Sequence, residues 1–403
     1  MLRCHARTDV GLRRKHNEDS LLAAEDYGVF VVADGVGGRK AGELASAIAV
    51  NTFQAFSPRL HEAIRRFEDE STPEQRSRVL HLLEEACNAS SRRIYEAAAN
   101  TGRQGMTTTL VAAAIGGGTA FVAHVGDSRA YLLRDGDLQQ LTEDHSMVNE
   151  LIRTGAMTTE DAATSRYRNV ITRAVGLYPT VRADTLHVEL LPHDRLLLCS
   201  DGLSDLVRTE TLKHRLTQLG VAEAVDALVQ DALDAGGRDN ITVIGLEPEA
   251  VLIPEDVQER VEAMASLFLF EGLPFKARLR VGQIVNEAST TTGETLVEEG
   301  ETGDAMYVVI SGVYAVIVNG LEVATLGKGE HFGELCLIDK RPRSASIVCK
   351  EPGRLLTIKR SALQEFCMLE PNLGNVLLWK LVSTLGERLR GANAQLSPRR
   401  DTP

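Results

Sequence analysis

The alternation of hydrophobic and polar positions divides the chain into two parts. In the first part, up to about residue 246, apolar residues recur at helical spacing over 41–56 and 73–99, which predicts two long helices. Short apolar runs predict strands at 29–33, 119–125, 129–134, 137–141, 195–200 and 241–247. Turn residues at 126–128 and 135–136 predict hairpins between neighbouring strands. Adjacent strands joined by tight turns favour an antiparallel sheet over parallel strands linked by helices.

The pattern changes after Pro248 and Pro254. A short helical stretch is followed by short apolar strands with glycines between nearly all of them, including separate strands on either side of Gly312. This spacing predicts a small β-roll or barrel, and two helical pieces interrupted at Pro371 follow it. The predicted fold class is α+β, an N-terminal antiparallel β-sandwich flanked by helices followed by a C-terminal β-roll with flanking helices. We assign the first domain to residues 1–248 and a linker with its lead-in helix to residues 249–265. The second domain is assigned to residues 266–392, and residues 393–403 are expected to be a disordered tail.

The composition narrows the cellular context. The 403 residues are 43% hydrophobic and 25% charged, which is ordinary for soluble globular domains. A net charge of −12 argues against broad nucleic-acid binding, and no apolar run approaches the roughly 20 residues that span a bilayer. Six scattered cysteines without a CxxC pair are typical of reduced thiols. We therefore expect a cytoplasmic protein with no nucleic-acid or membrane partner, and the oligomeric state stays open.

Acidic residues recur where predicted strands end beside glycine or asparagine. They are Asp34, Asp127, Asp201 and Asp239, together with the pair Glu18-Asp19. A lone Asp-Gly, such as Asp135-Gly136, is most often only a turn, but several at strand ends in one segment indicate a shared site. Like charges gathered at one edge are unfavourable unless cations neutralise them. Oxygen ligands suit magnesium or manganese, and two such ions can activate a water and hold a phosphoryl group.

The first part resembles the metal-dependent protein phosphatases of the protein phosphatase 2C type. The resemblance covers residues 5–246 and depends on eight motifs in family order: RRKHNED, VVADGVGG, GMTTTL, VGDSRAYLL, LTEDHS, ITRAVG, LLLCSDGLSD and GGRDNITV. It implies two antiparallel sheets flanked by helices. It also implies hydrolysis of phosphoserine and phosphothreonine in proteins, with two manganese or magnesium ions and in some members a third.

The same resemblance implies a role for each matched ligand. Asp34 would bridge two metal ions, and Gly35 would ligate one of them through its carbonyl. Asp201 and Asp239 would complete the first metal site. Glu18 would hold the water shell of the second ion.

Three further roles follow from the resemblance. Asp127 and Asp205, with Asp201, would form the third metal site known in bacterial members. Arg14 matches the family's phosphate-binding arginine, because a guanidinium fork fits phosphate oxygens bidentately. Asn240 would support the neighbouring ligand. The expected catalytic set is Arg14, Asp34, Asp201 and Asp239.

One position departs from part of the family. Some members have a histidine, a proposed general acid, where this chain has Val36. Bacterial relatives also lack it, so an inactive site does not follow. His145 could replace this acid, although a structural role is the alternative that we favour.

The second part contains a glycine-rich cassette at 327–347, GKGEHFGELCLIDKRPRSASI. A short helix is expected after the turn at Gly333, and free amides at a helix start bind anions. Glu334 could accept from a ribose hydroxyl, and Arg343 could bind a phosphate. By spacing alone, a barrel turn with a surface arginine explains the pattern equally well.

The wider pattern over about 266–390 resembles the cyclic-nucleotide-binding domain of bacterial transcription factors and cyclic-nucleotide-dependent kinases. The ligand-binding residues that it implies are Gly333, Glu334, Leu335, Arg343, Ser344 and Ala345. Ser344 favours cyclic AMP over cyclic GMP, since cyclic-AMP-responsive bacterial regulators also use serine there.

These features lead to one principal hypothesis and two alternatives. The principal hypothesis is a phosphoserine/phosphothreonine protein phosphatase regulated by cyclic nucleotide, whose partners are phosphoproteins and the nucleotide. The first alternative is a catalytically weak, cyclic-nucleotide-responsive scaffold that binds phosphoproteins. The second is that the C-terminal barrel serves only dimerisation or docking.

Overall fold

The computed structural model describes residues 2–36, 41–102, 105–158, 161, 165–167, 170–248 and 255–396, without the side chains of 255–256 and 391–396. The chain divides into two compact units, Met1–Pro254 and Glu255–Pro403. Among the described residues, no helix combines the length and the apolar character needed to cross a bilayer.

Two antiparallel sheets form the first unit within the described residues. One sheet contains, in spatial order, β1 (Leu2–Asp9), β11 (Ile241–Pro248), β10 (Arg195–Cys199), β7 (Arg129–Arg134) and β8 (Asp137–Gln140). The other contains β2 (Asp19–Ala24), β3 (Val29–Val36), β5 (Leu110–Gly116), β6 (Thr119–Val125) and β9 (Asp184–Glu189), with β4 (Thr107–Thr108) paired to β3. The predicted N-terminal sandwich is confirmed.

Helices pack on both sheets. Within the described residues they are α1 (Ala41–Asp69) and α2 (Pro73–Thr101) on the sheet that contains β3, and α4 (Asp201–Ser204), α5 (Thr209–Gln218) and α6 (Val221–Asp234) on the other. A further short helix, α3, spans Met147–Arg153. Alternate residues of β3, Val29 and Val31, pack against α1 and α2, so the residues between them, Phe30 and Val32, face the opposite sheet. The strand is therefore buried on both faces, which is why it is apolar throughout.

One predicted hairpin is wrong. The turn at 135–136 does connect the paired strands β7 and β8, but β6 and β7 belong to different sheets. Residues 126–128 therefore cross from one sheet to the other. Local turn chemistry is the same for both connections, whereas the pairing of β7 with β10 is a long-range choice. The crossover brings Asp127 to the edge where both sheets contribute acids.

A β-roll with helices forms the second unit, as predicted. Its strands are β12 (Val285–Thr290), β13 (Thr295–Val297), β14 (Ala305–Val318), β15 (Leu321–Leu326), β16 (His331–Phe332) and β17 (Ser346–Lys359). Its helices are α7 (Glu255–Ser266), α8 (Phe275–Gly282), α9 (Arg360–Leu369) and α10 (Pro371–Leu396). Tyr314, Phe332 and Leu355 fill the roll. A second apolar cluster joins Ala263 of α7 and Leu377 of α10 to Met306 of β14 and Leu356 of β17.

Two details of the second unit differ from the expectation. The strands predicted on either side of Gly312 are one strand, β14, whose register shifts between Val309 and Val313. Gly312 has φ +92°, and a Cβ atom there would lie 2.8 Å from the carbonyl oxygen of Glu351, so the glycine allows a bulge rather than ending the strand. Helix α10 continues to Leu396, four residues into the predicted tail. Residues 249–254 and 397–403 lie outside the described residues.

Candidate active site

The acids that the sequence singled out come together where strands of both sheets begin or end. Asp34 lies near the end of β3, and Asp127 lies in the crossover. Asp201 begins α4, two residues after β10, and Asp239 lies two residues before β11. Their charges influence one another: Asp201 and Asp127 raise the pKa of Asp34, and Asp239 and Asp205 raise that of Asp201. The chain thus collects carboxylates from both sheets in one cleft.

Burial and mutual repulsion disfavour the ionised forms of these carboxylates. Burial, then the charges of Asp19 and Asp201, raises the pKa of Asp34 well above its ordinary value. Burial, followed by Asp201 and Asp144, raises the pKa of Asp127 to about 7. Such crowding is expected where cations belong.

Asp19 is a buried acid beside Asp34 to which the sequence assigned no individual role. It pairs with Asp34 in the β2–β3 register and is 7% exposed. The hydroxyls of Ser200 and Thr242 donate to its Oδ2 at 2.9 and 2.6 Å, while its Oδ1 is buried without a hydrogen-bond partner in the described structure. Its position next to Glu18 was the only available signal.

The main chain at Asp34 is anchored by the threonines of the GMTTTL motif. Thr109 Oγ1 accepts from the amide of Asp34 at 3.2 Å, and Thr108 Oγ1 donates to its carbonyl at 2.8 Å. Thr109 Oγ1 also lies 2.7 Å from Ser128 Oγ, beside Asp127. One hydroxyl pair therefore connects the segments that carry two of the acids.

Gly35 is required by the close approach of three segments. A Cβ atom at this position would lie 2.2 Å from the carbonyl oxygen of Gly42 and 2.6 Å from that of Glu18. Any side chain would push β3 away from the segment that carries Glu18. Glycine therefore keeps Glu18 close to Asp34.

Arg14 and Asp239 form an ion pair at the rim of the cleft, with Arg14 Nη2 2.6 Å from Asp239 Oδ2. Asn240 organises the same rim. Its Nδ2 donates to the carbonyls of Val10 and His16, both at 3.0 Å, and its Oδ1 accepts from the amide of Glu18 at 2.8 Å. Asn240 thus shapes the loop that carries Arg14.

The donor set fits divalent cations. It consists of carboxylate and carbonyl oxygens, which suit magnesium and manganese. Besides Asp19 Oδ1, Asp201 Oδ1 is buried without a hydrogen-bond partner in the described structure. Buried carboxylate oxygens without donors are unfavourable unless a cation satisfies them.

His145 does not lie free to act as an acid. Its Nδ1 accepts from the amide of Gly126 at 3.1 Å, and its Nε2 lies 3.1 Å from Asp184 Oδ2. The ring also stacks on His124 with centroids 4.3 Å apart. These contacts match a structural role. Val36 is 41% exposed at the end of β3 and provides no acid.

A second candidate site lies in the cassette of the second unit. Gly333 has φ +80° and precedes a single 3-10 turn at Glu334–Leu337. The guanidinium of Arg343 donates to the carbonyls of Ala305 at 2.7 Å and Gly333 at 3.3 Å. A Cβ atom at Gly303 would lie 1.9 Å from Arg343 Nε, so the arginine packs directly over that glycine.

The remaining cassette residues differ in exposure. Glu334 is 4% exposed, whereas Leu335 and Ser344 are exposed and Ala345 is half-buried. Arg388 of α10 places Nη1 2.6 Å from Glu334 Oε1 and donates from Nη2 to the carbonyl of His331 at 3.1 Å. No sequence pattern indicated Arg388, because it is one of several cations on a polar stretch of helix.

Comparison with known proteins identifies both parts. Residues 13–236, more than half of the chain, match the family profile described as protein phosphatase 2C. The chain belongs to the protein phosphatase 2C family. Residues 288–370 match the profile of the cyclic nucleotide-binding domain.

Relatives and solved structures agree with this family. The serine/threonine phosphatase stp of Listeria welshimeri is 38% identical over 245 residues, which are 60% of this chain and 94% of that protein. The crystal structure of the Mycobacterium tuberculosis serine/threonine phosphatase PstP/Ppp is 37% identical, with a TM-score of 0.54 over 62% of this chain and 99% of that one. A structure of the PstP catalytic domain in complex with two manganese ions is 36% identical, with a TM-score of 0.53 over 61% of this chain and 97% of that one.

The comparisons confirm the resemblance, the fold class and the class of enzyme predicted from the sequence. The chain is a protein phosphatase 2C-type serine/threonine phosphatase that carries a cyclic nucleotide-binding domain. The roles of individual site residues remain proposals.

Proposed function

We propose that the protein is a metal-dependent phosphoserine/phosphothreonine phosphatase whose rate is controlled by a cyclic nucleotide, with cyclic AMP favoured, bound to the second domain. The observation that carries the catalytic part is the cleft of crowded carboxylates around Asp34, with the unpartnered Oδ1 atoms of Asp19 and Asp201. The intact cassette around Glu334 and Arg343 carries the regulatory part.

The residues that would hold the metal ions are those of the cleft. Asp34 and the carbonyl of Gly35, with Asp201 and Asp239, would bind two ions, and Glu18 would hold ligand waters. Asp127, Asp201 and Asp205 would bind a third. Manganese or magnesium, when bound, would polarise the phosphoryl group and acidify a water. The manganese ions of the PstP catalytic domain make manganese the first metal to test.

The chain's own side chains contribute binding and orientation. Arg14 would exchange its contact with Asp239 for two phosphate oxygens, because a doubly charged phosphate is a stronger bidentate acceptor than a partly solvated carboxylate. Asp19, held by two hydroxyls, would keep one oxygen directed into the cleft. With valine at position 36, the chain offers no side-chain acid there for the leaving alkoxide.

The regulatory proposal depends on what the nucleotide would replace in the cassette. Arg343 now donates to two neutral carbonyls, and a cyclic phosphate would offer it a charged acceptor. A ribose hydroxyl would engage Glu334, whose other contact is Arg388 on α10. Occupancy of the site would thus be sensed by the last helix. Control of the rate further requires that the nucleotide binds the active and inactive states with different affinities.

The test is the initial rate of phosphate release from a phosphothreonine peptide with manganese and, in parallel, with magnesium, titrated with cyclic AMP and then with cyclic GMP. A metal-dependent rate that changes saturably with one nucleotide supports the whole proposal and identifies the ligand. A metal-dependent rate indifferent to both nucleotides overturns the regulatory part and favours a docking module. Absence of a rate with either metal overturns the catalytic part and favours a phosphoprotein-binding scaffold.

A further inference from the structure

The loop that carries Arg14 also carries cations that the catalytic site does not use. Arg13 and Lys15 flank Arg14 in the chain and are exposed. Arg238, next to Asp239, is exposed as well. Whereas Arg14 is paired with Asp239, these three side chains have no acidic partner within 4 Å among the residues that the structure describes. Three unpaired cations around one phosphate-binding arginine are available for a ligand.

Backbone contacts bring the two cationic segments together. The amide of Leu12 donates to the carbonyl of Gly237 at 2.8 Å. A Cβ atom at Gly11 would lie 2.2 Å from the carbonyl oxygen of Asp239, so only glycine allows this approach. Gly11 and Leu12 therefore lie directly against 237–239, and Arg14 contacts Asp239, so the cations next to these residues in the chain belong to one rim.

Asn240 holds this rim in a defined shape. Because its single amide group bonds the carbonyls of Val10 and His16, the residues between them form a closed loop. Asn240 is 3% exposed, so the clasp is inside the protein and the loop tip is outside. Consecutive Cα atoms are about 3.8 Å apart, so the Cα atoms of Arg13 and Lys15 each lie at about that distance from the Cα atom of Arg14.

Local charge dominates over net charge at this rim. The whole chain carries −12 and would repel an acidic peptide at long range. At physiological salt the Debye length is about 8 Å, so a docked peptide responds mainly to charges within that distance. The acids at this rim are otherwise engaged, because Asp239 is paired with Arg14 and Glu18 and Asp239 would serve the metal ions. Arg13, Lys15 and Arg238 are the exposed cations adjacent in the chain to Arg14 and Asp239.

We propose that Arg13, Lys15 and Arg238 select phosphopeptides that carry acidic residues on either side of the phosphorylated residue. This inference rests on the proposed phosphatase function and specifies its substrate class. Peptide residues in extended conformation advance about 3.3 Å each, so acids within two positions of the phosphate reach the rim. The three cations contribute binding of the flanking residues and take no part in the phosphoryl chemistry.

The experiment uses the full-length protein with manganese and two peptides that differ only in their flanks. One has phosphothreonine between glutamates, and the other has it between glutamines of the same shape. The quantity measured is the ratio of their kcat/KM values. We expect a ratio of about 10 at low salt, carried by KM and reduced at high salt, because an exposed ion pair contributes about 1.5- to 5-fold.

Matched variants test whether the preference for glutamate flanks depends on Arg13, Lys15 and Arg238. Arg13→Gln with Lys15→Gln is expected to lower the ratio about fivefold, and Arg238→Gln about twofold, since each removes one or two exposed charges. Arg92→Gln is the control, because Arg92 is an exposed cation on α2, a helix that packs on β6 and β9. Thermal unfolding of each variant shows whether the fold is retained.

The possible outcomes distinguish failure of this inference from failure of the proposed phosphatase function. A preference for glutamate flanks that the rim variants remove and Arg92→Gln retains supports the inference. A ratio near one in the unmodified protein, or a ratio that the rim variants leave unchanged, overturns it while the phosphatase function stands. Absence of turnover of both peptides and of p-nitrophenyl phosphate overturns the phosphatase function and this inference together.

Discussion

The guanidinium of Arg14 lies 2.6 Å from the carboxylate of Asp239, so the expected phosphate ligand and an expected metal ligand neutralise each other. A cation at Asp239 and the arginine therefore compete for one carboxylate. We predict that Arg14→Ala binds manganese up to about fivefold more tightly, since an exposed pair contributes up to about 1 kcal/mol. Its kcat/KM for a phosphothreonine peptide should nevertheless fall by about 10- to 100-fold.

Titration calorimetry measures the expected gain in manganese affinity, and steady-state kinetics on the same preparation measure the expected loss in kcat/KM. Arg14→Lys keeps the charge without the fork, so it should lose peptide activity with little gain in metal affinity. An unchanged manganese affinity in Arg14→Ala would show that the pair does not compete with metal.

The crowded carboxylates predict that one neutral substitution has opposite effects on stability and activity. Asp34→Asn removes a carboxyl group whose ionisation is disfavoured by burial and by the charges of Asp19, Asp201 and Asp127. The metal-free protein should therefore unfold at a higher temperature, by about 2–4 °C for each kcal/mol of repulsion removed. Phosphate release should fall at least ~10²-fold, since even partners of metal ligands cost 10- to 100-fold. Calorimetric unfolding with and without manganese measures the first effect, and a destabilised metal-free variant would contradict it.

The raised pKa of Asp127, about 7, predicts how stability depends on pH without metal. The unfolded-state pKa is about 4, so between pH 4 and 7 the folded state binds more protons than the unfolded state. Stability must then fall as pH rises through this window, with Asp127 contributing at most about 4 kcal/mol for a shift of some three pKa units. Urea unfolding between pH 5 and 8 measures the slope. Saturating manganese should reverse it, and Asp127→Asn should reduce it in part, because burial also raises the pKa of Asp19, Asp34 and Asp201.

The hydroxyls that hold Asp19 predict a graded series. Thr242→Val keeps the shape of the side chain but removes the 2.6 Å donor, so manganese affinity should fall about 10-fold. Thr242→Ser should restore it. Thr8→Val, which removes only the outer hydroxyl 2.7 Å from Thr242, is the control and should have a smaller effect. Equal losses in the serine and valine variants would indicate a packing role instead.

The contact of Arg388 with Glu334 predicts that binding and response in the second domain can be separated. Arg343→Ala should abolish nucleotide binding, as the cyclic phosphate loses its cation. Arg388→Gln should still bind nucleotide but change the phosphatase rate less, because α10 is no longer connected to Glu334. It should also destabilise the domain by about 1–2 kcal/mol, below the 3–5 kcal/mol of a fully buried pair, since Arg388 is 46% exposed.

The control for this prediction is Arg390→Gln, an exposed neighbour on the same helix, which should keep binding, response and stability. Calorimetry with cyclic AMP gives the binding, and the phosphate-release assay gives the response. A full response in Arg388→Gln would exclude this contact as the connection.

Local sequence patterns predicted most of the helices and strands. The length of α1 and the pairing of β7 depend on contacts between distant residues, which local patterns do not record. The periodicity of residues 41–56 predicted a helix, but packing of Phe53, Leu60 and Phe67 extends α1 to Asp69 through Pro58. The 126–128 turn has hairpin chemistry, yet β7 pairs with β10. Motif order predicted that the carboxylates share one site, and each lies within or next to a strand end in the structure; the ligand roles stay predictions. Arg388 could not be predicted, since its partner lies 54 residues away and no local pattern records that contact.

The clasp made by Asn240 separates two properties of the enzyme. Its Nδ2 holds the loop through the main-chain carbonyls of Val10 and His16, so this hold does not depend on the side chains at positions 13 and 15. Substitutions of Arg13 and Lys15 can therefore change which proteins are recognised, while Gly11, Arg14 and the carboxylates below retain their positions. Selection can act on substrate preference and on phosphoryl chemistry as independent traits, and an engineer can do the same by exchanging these two side chains alone.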